Sequence, residues 1–362
     1  MSKSFRLALV MDLALGWRTS YQNWRQHFPA DRNVEPTWIV LSDDTPVWID
    51  RVPGIPKRVR SRLRASLMLR EGLKRGPFDA TFIAASSAWT ILPRYMKKHP
   101  TFLYIDSTPR QLFDFGDAYG WHRSKNPRVE QWKHQKRVAA YGSARGIFGM
   151  SQWAISSAID DYGVLPQNTH VLPPGVDTDQ WQPGDSEQKL QKSVCDLLFV
   201  GGDFARKGGP RLLDWAATTK AAGWRLHLVT PEPVEVSDPR VCVYNDLKSN
   251  DPRLRELYAQ ADVFALPTRA DCSPWAGIEA LASGLPLVIA DTGATSEIVQ
   301  SGQTGFLVPQ NDPDALAQSL ETLISDPALR AQMGAAARAD AEQRFSAPKL
   351  VRQAVQIMKD LA

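Results

Sequence analysis

The chain has 362 residues, 43% of them hydrophobic and 23% charged, which fits a folded chain of two ordinary domains and excludes a disordered one. No apolar run reaches the roughly 18–20 residues needed to span a bilayer, and three scattered cysteines (Cys195, Cys242, Cys272) fit a reducing cytoplasm better than a disulfide framework or a metal cluster. The net charge of +4 hides an asymmetry: residues 1–180 hold 25 Lys and Arg against 16 Asp and Glu, and the rest hold 18 against 23, as expected of two domains with different partners.

The opening residues, MSKSFRLALVMDLALGW, are basic and then apolar, like a signal peptide. Asp12 interrupts the apolar stretch and no small-residue cleavage pattern follows, so FRLALVMD reads as a first strand. Further strands are expected at Thr37–Leu41, Ala80–Ala84, Thr101–Ile105 and Gly146–Met150, with the first at Arg6–Met11. All are short apolar runs of the kind buried on both faces of a parallel sheet. Helical patterns lie between them, as at Arg128–Ala140 and Gln152–Tyr162.

A basic run, PKRVRSRLRASLMLREGLKR, extends from Pro56 to Arg75. Val59, Leu63 and Leu67 share one helical face with Arg70 and Lys74. This pattern fits a solvated surface helix, or a helix that touches an anionic membrane. Nucleic acid is disfavoured, because the basic residues do not alternate with aromatic ones. His122, His134 and His170 have no evident partners in the sequence and read as structural or solvated.

The segment His170–Pro183, dense in Pro, Gly and Asp, reads as a linker. A second series of strands follows at Asp196–Gly201, Arg225–Val229, Val241–Tyr244, Val263–Leu266, Leu287–Ala290 and Phe306–Val308. Two successive series of alternating strands and helices imply two doubly wound domains facing across a cleft. The tail, Ala337–Ala362, has a helical pattern and could pack back across the domain junction.

The second series opens with DLLFVGGDFARKGG, residues 196–209. A strand runs into Gly201-Gly202, a helix is expected from about Gly209, and Arg206 and Lys207 lie in the loop. Glycines admit close approach of a ligand, and two adjacent cations can neutralise a diphosphate. The spacing is neither a dinucleotide-binding GxGxxG nor a P-loop, and a tight turn with exposed cations is the alternative.

The run from Asp262 to Asp314 is a strand–loop–helix–strand unit, with its helix expected from about Pro274 to Ser283 and ended by Gly284. It carries two acids eight positions apart, Asp271 in the loop and Glu279 in the helix. Glu279 could accept hydrogen bonds from vicinal hydroxyls, as on a ribose, or simply complement the helix dipole. Asp271 could face a ligand, or serve as a turn residue or N-cap.

Together these pieces resemble the retaining, GT-B-fold nucleotide-sugar glycosyltransferases of family 4 (glycosyltransferase group 1). The matching pieces are Ser151 with DYGV at Asp161–Val164 and PPGVD at Pro173–Asp177, then FVGGDFARKGG. They continue with Asp271-x7-Glu279 before ALASGLPLV, and end with TGATSEIVQSGQTGFLV. The likeness covers roughly residues 145–345, and the first half matches in style only. The resemblance implies a GT-B α/β fold of two Rossmann-like domains facing across a cleft. An N-terminal acceptor-side domain is expected over 1–175, a nucleotide-sugar donor domain over 176–345, and a returning helix over 346–362.

The resemblance further implies that Lys207 and Arg206 bind the donor diphosphate, that Glu279 holds the ribose, and that Asp271 lies near the transferred sugar. Gly16, in Leu15-Gly16-Trp17-Arg18-Thr19, and Gly202 would approach the donor phosphates, and Asp106 would bind an acceptor hydroxyl or the donor sugar. Plain readings stand beside these: a βα turn at Gly16 and a strand-end cap at Asp106. Asp271 replaces the family's usual Glu, Cys272-Ser273-Pro274-Trp275 replaces its glycine-rich loop, and Gly202 stands where an arginine is common.

The expected activity is transfer of a sugar from a nucleoside-diphosphate-sugar to a hydroxyl acceptor, glycan or lipid-linked, with no cofactor and no metal. The expected location is the cytoplasm, with peripheral membrane contact through residues 56–75. A sugar-nucleotide epimerase or hydrolase of the same fold, or a non-catalytic nucleotide-sugar-binding protein, are the alternatives. A nicotinamide oxidoreductase is disfavoured by the missing GxGxxG.

Overall fold

The computed structural model describes residues 4–13, 16–29, 33–42, 44–85 and 92–362, apart from the side chains of Lys57, Arg58 and Arg62. The chain divides into two compact units: residues up to Gly116 with 120–173 and 348–362, and residues 117–119 with 174–347.

The first unit runs β1 (Phe5–Asp12), α1 (Trp17–His27), β2 (Val34–Leu41), α2 (Lys57–Leu73), β3 (Ala80–Ala84), α3 (Pro93–Met96), β4 (Thr101–Ile105), α4 (Pro109–Phe115), α5 (Pro127–Tyr141), β5 (Gly146–Gly149), α6 (Gln152–Asp160) and β6 (Thr169–Val171). The strands form one parallel sheet in the order β2-β1-β3-β4-β5-β6. Strands β3, β4 and β5 are buried along their whole length, because helices cover both faces of a parallel sheet. One face is filled by stacked and tilted aromatic rings, Trp24, Phe82, Tyr104 and Phe148 among them.

The sixth strand corrects the sequence reading. His170 and Val171, taken there as the start of a linker, are ladder residues that pair with Phe148 and Gly149. The strand is three residues long and holds a single apolar residue, which is too little for periodicity to register.

The second unit runs α7 (Ser186–Gln191), β7 (Cys195–Val200), α8 (Gly209–Thr218), β8 (Trp224–Val229), β9 (Val241–Tyr244), α9 (Pro252–Gln260), β10 (Val263–Leu266), α10 (Trp275–Ala282), β11 (Leu287–Ala290), β12 (Gly305–Val308), α11 (Pro313–Ser325) and α12 (Pro327–Arg344). Its parallel sheet has the order β12-β11-β10-β7-β8-β9. From β7 the chain builds outward through β8 and β9, then crosses back to lay β10 on the other side of β7. That reversal opens a crevice at the carboxyl ends of β7 and β10, the place where doubly wound sheets bind ligands.

The tail is two helices. Between α12 and α13 (Ala347–Leu361) the chain straightens at Phe345-Ser346, where Val176 donates to Phe345 O at 2.7 Å and accepts from Ala347 N at 2.9 Å. In the PPGVD segment, the Asp177 carboxylate receives the Asp179 and Gln180 amides at 2.9 and 3.2 Å, so that acid folds its own turn. Among the described residues, no helix is long and apolar enough to cross a membrane.

Candidate donor-binding site

The loops after β7 and β10 are neighbours because their strands are. Arg269 N donates to Arg206 O at 2.8 Å, and the Thr268 hydroxyl reaches the same carbonyl at 3.2 Å. The loop after β8 adds a third tie, with Phe204 N donating to Glu232 at 2.9 Å. Gly208 closes the loop in the left-handed region, at φ +87°, and a Cβ there would lie 2.0 Å from Pro267 O. Only glycine fits where these two loops touch. At Gly202 a Cβ would meet nothing within 4 Å, so crowding within the protein does not require glycine there.

This architecture brings Lys207 and Asp271 together. The Lys207 ammonium donates to Asp271 Oδ2, and the two side chains are only 16% and 5% exposed. Asp271 is therefore an ion-pair partner and not the cap of α10. The N-cap is Pro274, which offers no side-chain hydrogen bond, so the first amides of α10 keep an uncapped, partly positive end.

Arg206 is braced on several sides. Its Nε donates to Asp203 at 3.2 Å, its Nη1 to Ala270 O at 2.8 Å, and its guanidinium lies over the Tyr119 ring at 4.6 Å. Nη2 carries no protein hydrogen bond among the described residues, which leaves two N–H donors for an anion.

Glu279 lies on α10, one turn in from its start, and is buried. No cation accompanies it among the described residues. The Tyr258 hydroxyl donates to its Oε2 at 3.3 Å. Burial pushes the carboxyl up to about 7, against a smaller opposing pull from that hydroxyl.

Gly16 and Asp106 belong to the first unit. Gly16 is the N-cap of α1 and accepts from Ser20 N at 3.2 Å; Leu15, read with it, lies outside the described residues. Asp106 follows β4 and receives the Ser107 hydroxyl at 3.0 Å. Sequence reasoning missed Tyr258 and Tyr119. Tyr258 sits in an ordinary helical pattern, and Tyr119 is 87 positions from Arg206, so no local spacing marks either one.

Two family models match this chain: Glycosyltransferase Family 4 over residues 19–180, and Glycosyl transferases group 1 over residues 195–326. The chain belongs to the family 4, group 1 glycosyltransferases. The MMP alpha-(1->4)-mannosyltransferase of Mycolicibacterium hassiacum is 29% identical, over 66% of this chain and 60% of that protein. D-inositol 3-phosphate glycosyltransferase 1 of Catenulispora acidiphila is 31% identical, over 46% of each. This family 4 chain therefore spans about half to three fifths of the length of these relatives.

Among solved structures, sucrose-phosphate synthase from Thermosynechococcus elongatus superposes with a TM-score of 0.76 at 16% identity, covering 99% of both chains. Anabaena HepE, in complex with UDP and glucose, superposes at 0.67 with 15% identity, covering 98% of this chain and all of that one. These likenesses establish the GT-B class for this glycosyltransferase-family chain, with two Rossmann-like units.

Proposed function

We propose that this protein transfers a sugar from a nucleoside diphosphate to a hydroxyl acceptor, with retention of anomeric configuration. The observation that carries the reading is the cluster at the β7–β10 switch point: Lys207 beside Asp271, with Arg206 braced next to them. Departure of the nucleoside diphosphate develops negative charge on its terminal phosphate. Arg206, Lys207 once it leaves Asp271, and the uncapped start of α10 stabilise that charge.

In this reading Lys207 and the free Nη2 of Arg206 take the diphosphate, and Gly202 and Gly16 let backbone approach it. Glu279 accepts the ribose hydroxyls. Asp271, once Lys207 turns to phosphate, faces the transferred sugar. Asp106 binds an acceptor hydroxyl. The bond from the anomeric carbon to the diphosphate oxygen breaks, and a bond to the acceptor oxygen forms on the same face. The acceptor's proton passes to the departing phosphate oxygen, so the balance needs no metal or cofactor.

The test is thermal-shift screening with UDP-, GDP- and ADP-sugars, followed by turnover with the donor that binds. A ligand at 100 times its Kd adds about 2.7 kcal/mol of stability. Binding of none of them would end this reading. Release of nucleoside diphosphate without any acceptor would favour a hydrolase, and a product of inverted anomeric configuration would remove retention.

The acceptor is proposed to be lipid-linked and reached at an anionic membrane surface. Trp48 is 64% exposed, and Val59 and Leu63, one turn apart on α2, are 48% and 43% exposed. Arg51, Arg70 and Lys74 are exposed beside them in sequence. Apolar anchors with clustered cations are the composition of an interfacial helix. Sedimentation with phosphatidylglycerol vesicles, lost on raising salt and absent with phosphatidylcholine, is the expected result. Equal binding to both lipids, or to neither, would count against it.

A further inference from the structure

Tyr258 on α9 is fully buried, and nothing in its packing needs a hydroxyl. Its ring meets Trp181 edge-on at 4.9 Å and stacks on Phe264 at 5.9 Å, contacts that a phenylalanine would make equally well. Burying a hydroxyl is costly unless it is bonded. Both of its partners lie on one other helix: Ala276 O in the first turn of α10, at 3.2 Å, and Glu279 Oε2 one turn further, at 3.3 Å. The single hydroxyl proton is thus shared between the backbone at the start of α10 and one oxygen of the acid that α10 carries.

Glu279 lies in a buried stretch of α10, with Ile278, Ala280 and Leu281 also buried. A glutamate has three rotatable bonds, and no cation among the described residues fixes this one. Its Oε1 has no protein hydrogen bond among the described residues.

We propose that Tyr258 is a positioning residue for the donor: its hydroxyl holds Oε2 of Glu279 so that Oε1 is aimed at the vicinal hydroxyls of the nucleoside's ribose. The proposal rests on the donor reading above and adds to it a residue that does not touch the donor. It differs from a purely structural role in its readout: a structural role would weaken ribo- and deoxynucleotide alike, whereas positioning is read in the ribose-dependent part of the affinity.

The experiment compares wild type, Tyr258→Phe, Glu279→Gln, the double variant and the packing control Trp181→Phe. Calorimetry measures binding of UDP and 2′-deoxy-UDP, with GDP and ADP and their deoxy forms where UDP does not bind, and steady-state kinetics give KM and kcat for the matching nucleotide-sugar. Loss of a hydrogen bond to a carboxylate corresponds to up to about tenfold in affinity. Tyr258→Phe should weaken the ribonucleotide by up to about tenfold, raise donor KM in parallel and leave kcat within about twofold. It should weaken the 2′-deoxy nucleotide far less, and add little on top of Glu279→Gln. Trp181→Phe should lower Tm without altering the ribo-to-deoxy ratio. Wild-type affinity in Tyr258→Phe, or an equal loss for ribo- and deoxynucleotide, would overturn the proposal while leaving the donor reading intact. Failure of wild type to bind any of the three diphosphates would overturn both.

Discussion

The Lys207 ammonium, on the loop after β7, is ion-paired with the carboxylate of Asp271, on the loop after β10. The two residues are 64 positions apart and meet because the chain crosses back beside β7 when it lays down β10. Its removal tests the stability of the site and the proposed diphosphate binding together.

Lys207→Met should leave Asp271 as a nearly buried charge without its partner. Removing one member of a buried pair costs up to about 3–5 kcal/mol, and the partial exposure of Lys207 places this site toward the lower end. Lys207→Met/Asp271→Asn should recover most of the lost Tm, since neither charge then remains. If Lys207 takes the donor diphosphate as proposed, both variants should gain less stability from nucleotide than wild type does. Thermal unfolding with and without nucleotide checks both expectations.

On the proposed role of Glu279, stability and donor binding should respond to pH in opposite ways. Its folded carboxyl lies at about 7, above the usual unfolded value near 4.3. Below about pH 4 both states hold the proton and the group contributes nothing. As pH rises toward 7, the folded state must give up a proton it holds more tightly, so stability falls by an amount of order 3 kcal/mol. Glu279→Gln escapes this loss: its Tm should exceed that of wild type at pH 8 and approach it at pH 5. If Glu279 accepts the ribose hydroxyls as proposed, wild-type donor affinity should weaken as pH falls below about 7, and Glu279→Gln should flatten that dependence.

Two glycines of one loop should respond differently to alanine. Gly208→Ala forces a Cβ toward Pro267 O from a left-handed backbone and should cost at least 1–2 kcal/mol, by roughly the strain of such a position. Gly202→Ala has open space and should leave Tm nearly unchanged. If Gly202 approaches the diphosphate, its alanine variant should still weaken donor binding. Paired measurements of Tm and nucleotide Kd separate the two effects.

At the opposite end of β10, Asp262 receives Asp196 N at 2.8 Å and the Lys192 ammonium at 3.3 Å, with its side chain 2% exposed. It stands at the amino end of the sheet, away from the switch point. Asp262→Ala should lower Tm by several degrees and leave donor Kd unchanged, the reverse of Gly202→Ala. A change in donor Kd would show that the two ends of β10 are coupled.

Among the described residues, eleven of twelve strands are legible in the sequence, most of them because strands covered on both faces are short apolar runs. The strand β6 is not, since its three residues carry too few apolar atoms to form a pattern. The chemistry of the candidate site was also legible by residue type: Arg206, Lys207, Asp271 and Glu279 stand out as charges in loops or at a helix start within apolar surroundings. Their pairings were not. An acid in a loop reads equally as cap, turn or ligand, and only the burial of Asp271 against Lys207 distinguishes these.

The sequence by itself determined two parallel α/β units and the four charged residues at the end of the second sheet, because local hydrophobic pattern and loop chemistry are written in consecutive residues. Only the tertiary structure decided that Lys207 and Asp271 are one ion pair and that Arg206 is braced by Asp203 and Ala270. It alone decided that Glu279 meets Tyr258, which lies 21 positions away on a different helix. Those relationships depend on strand order and on which side chains lose water together, and neither is expressed in the spacing of residues along the chain.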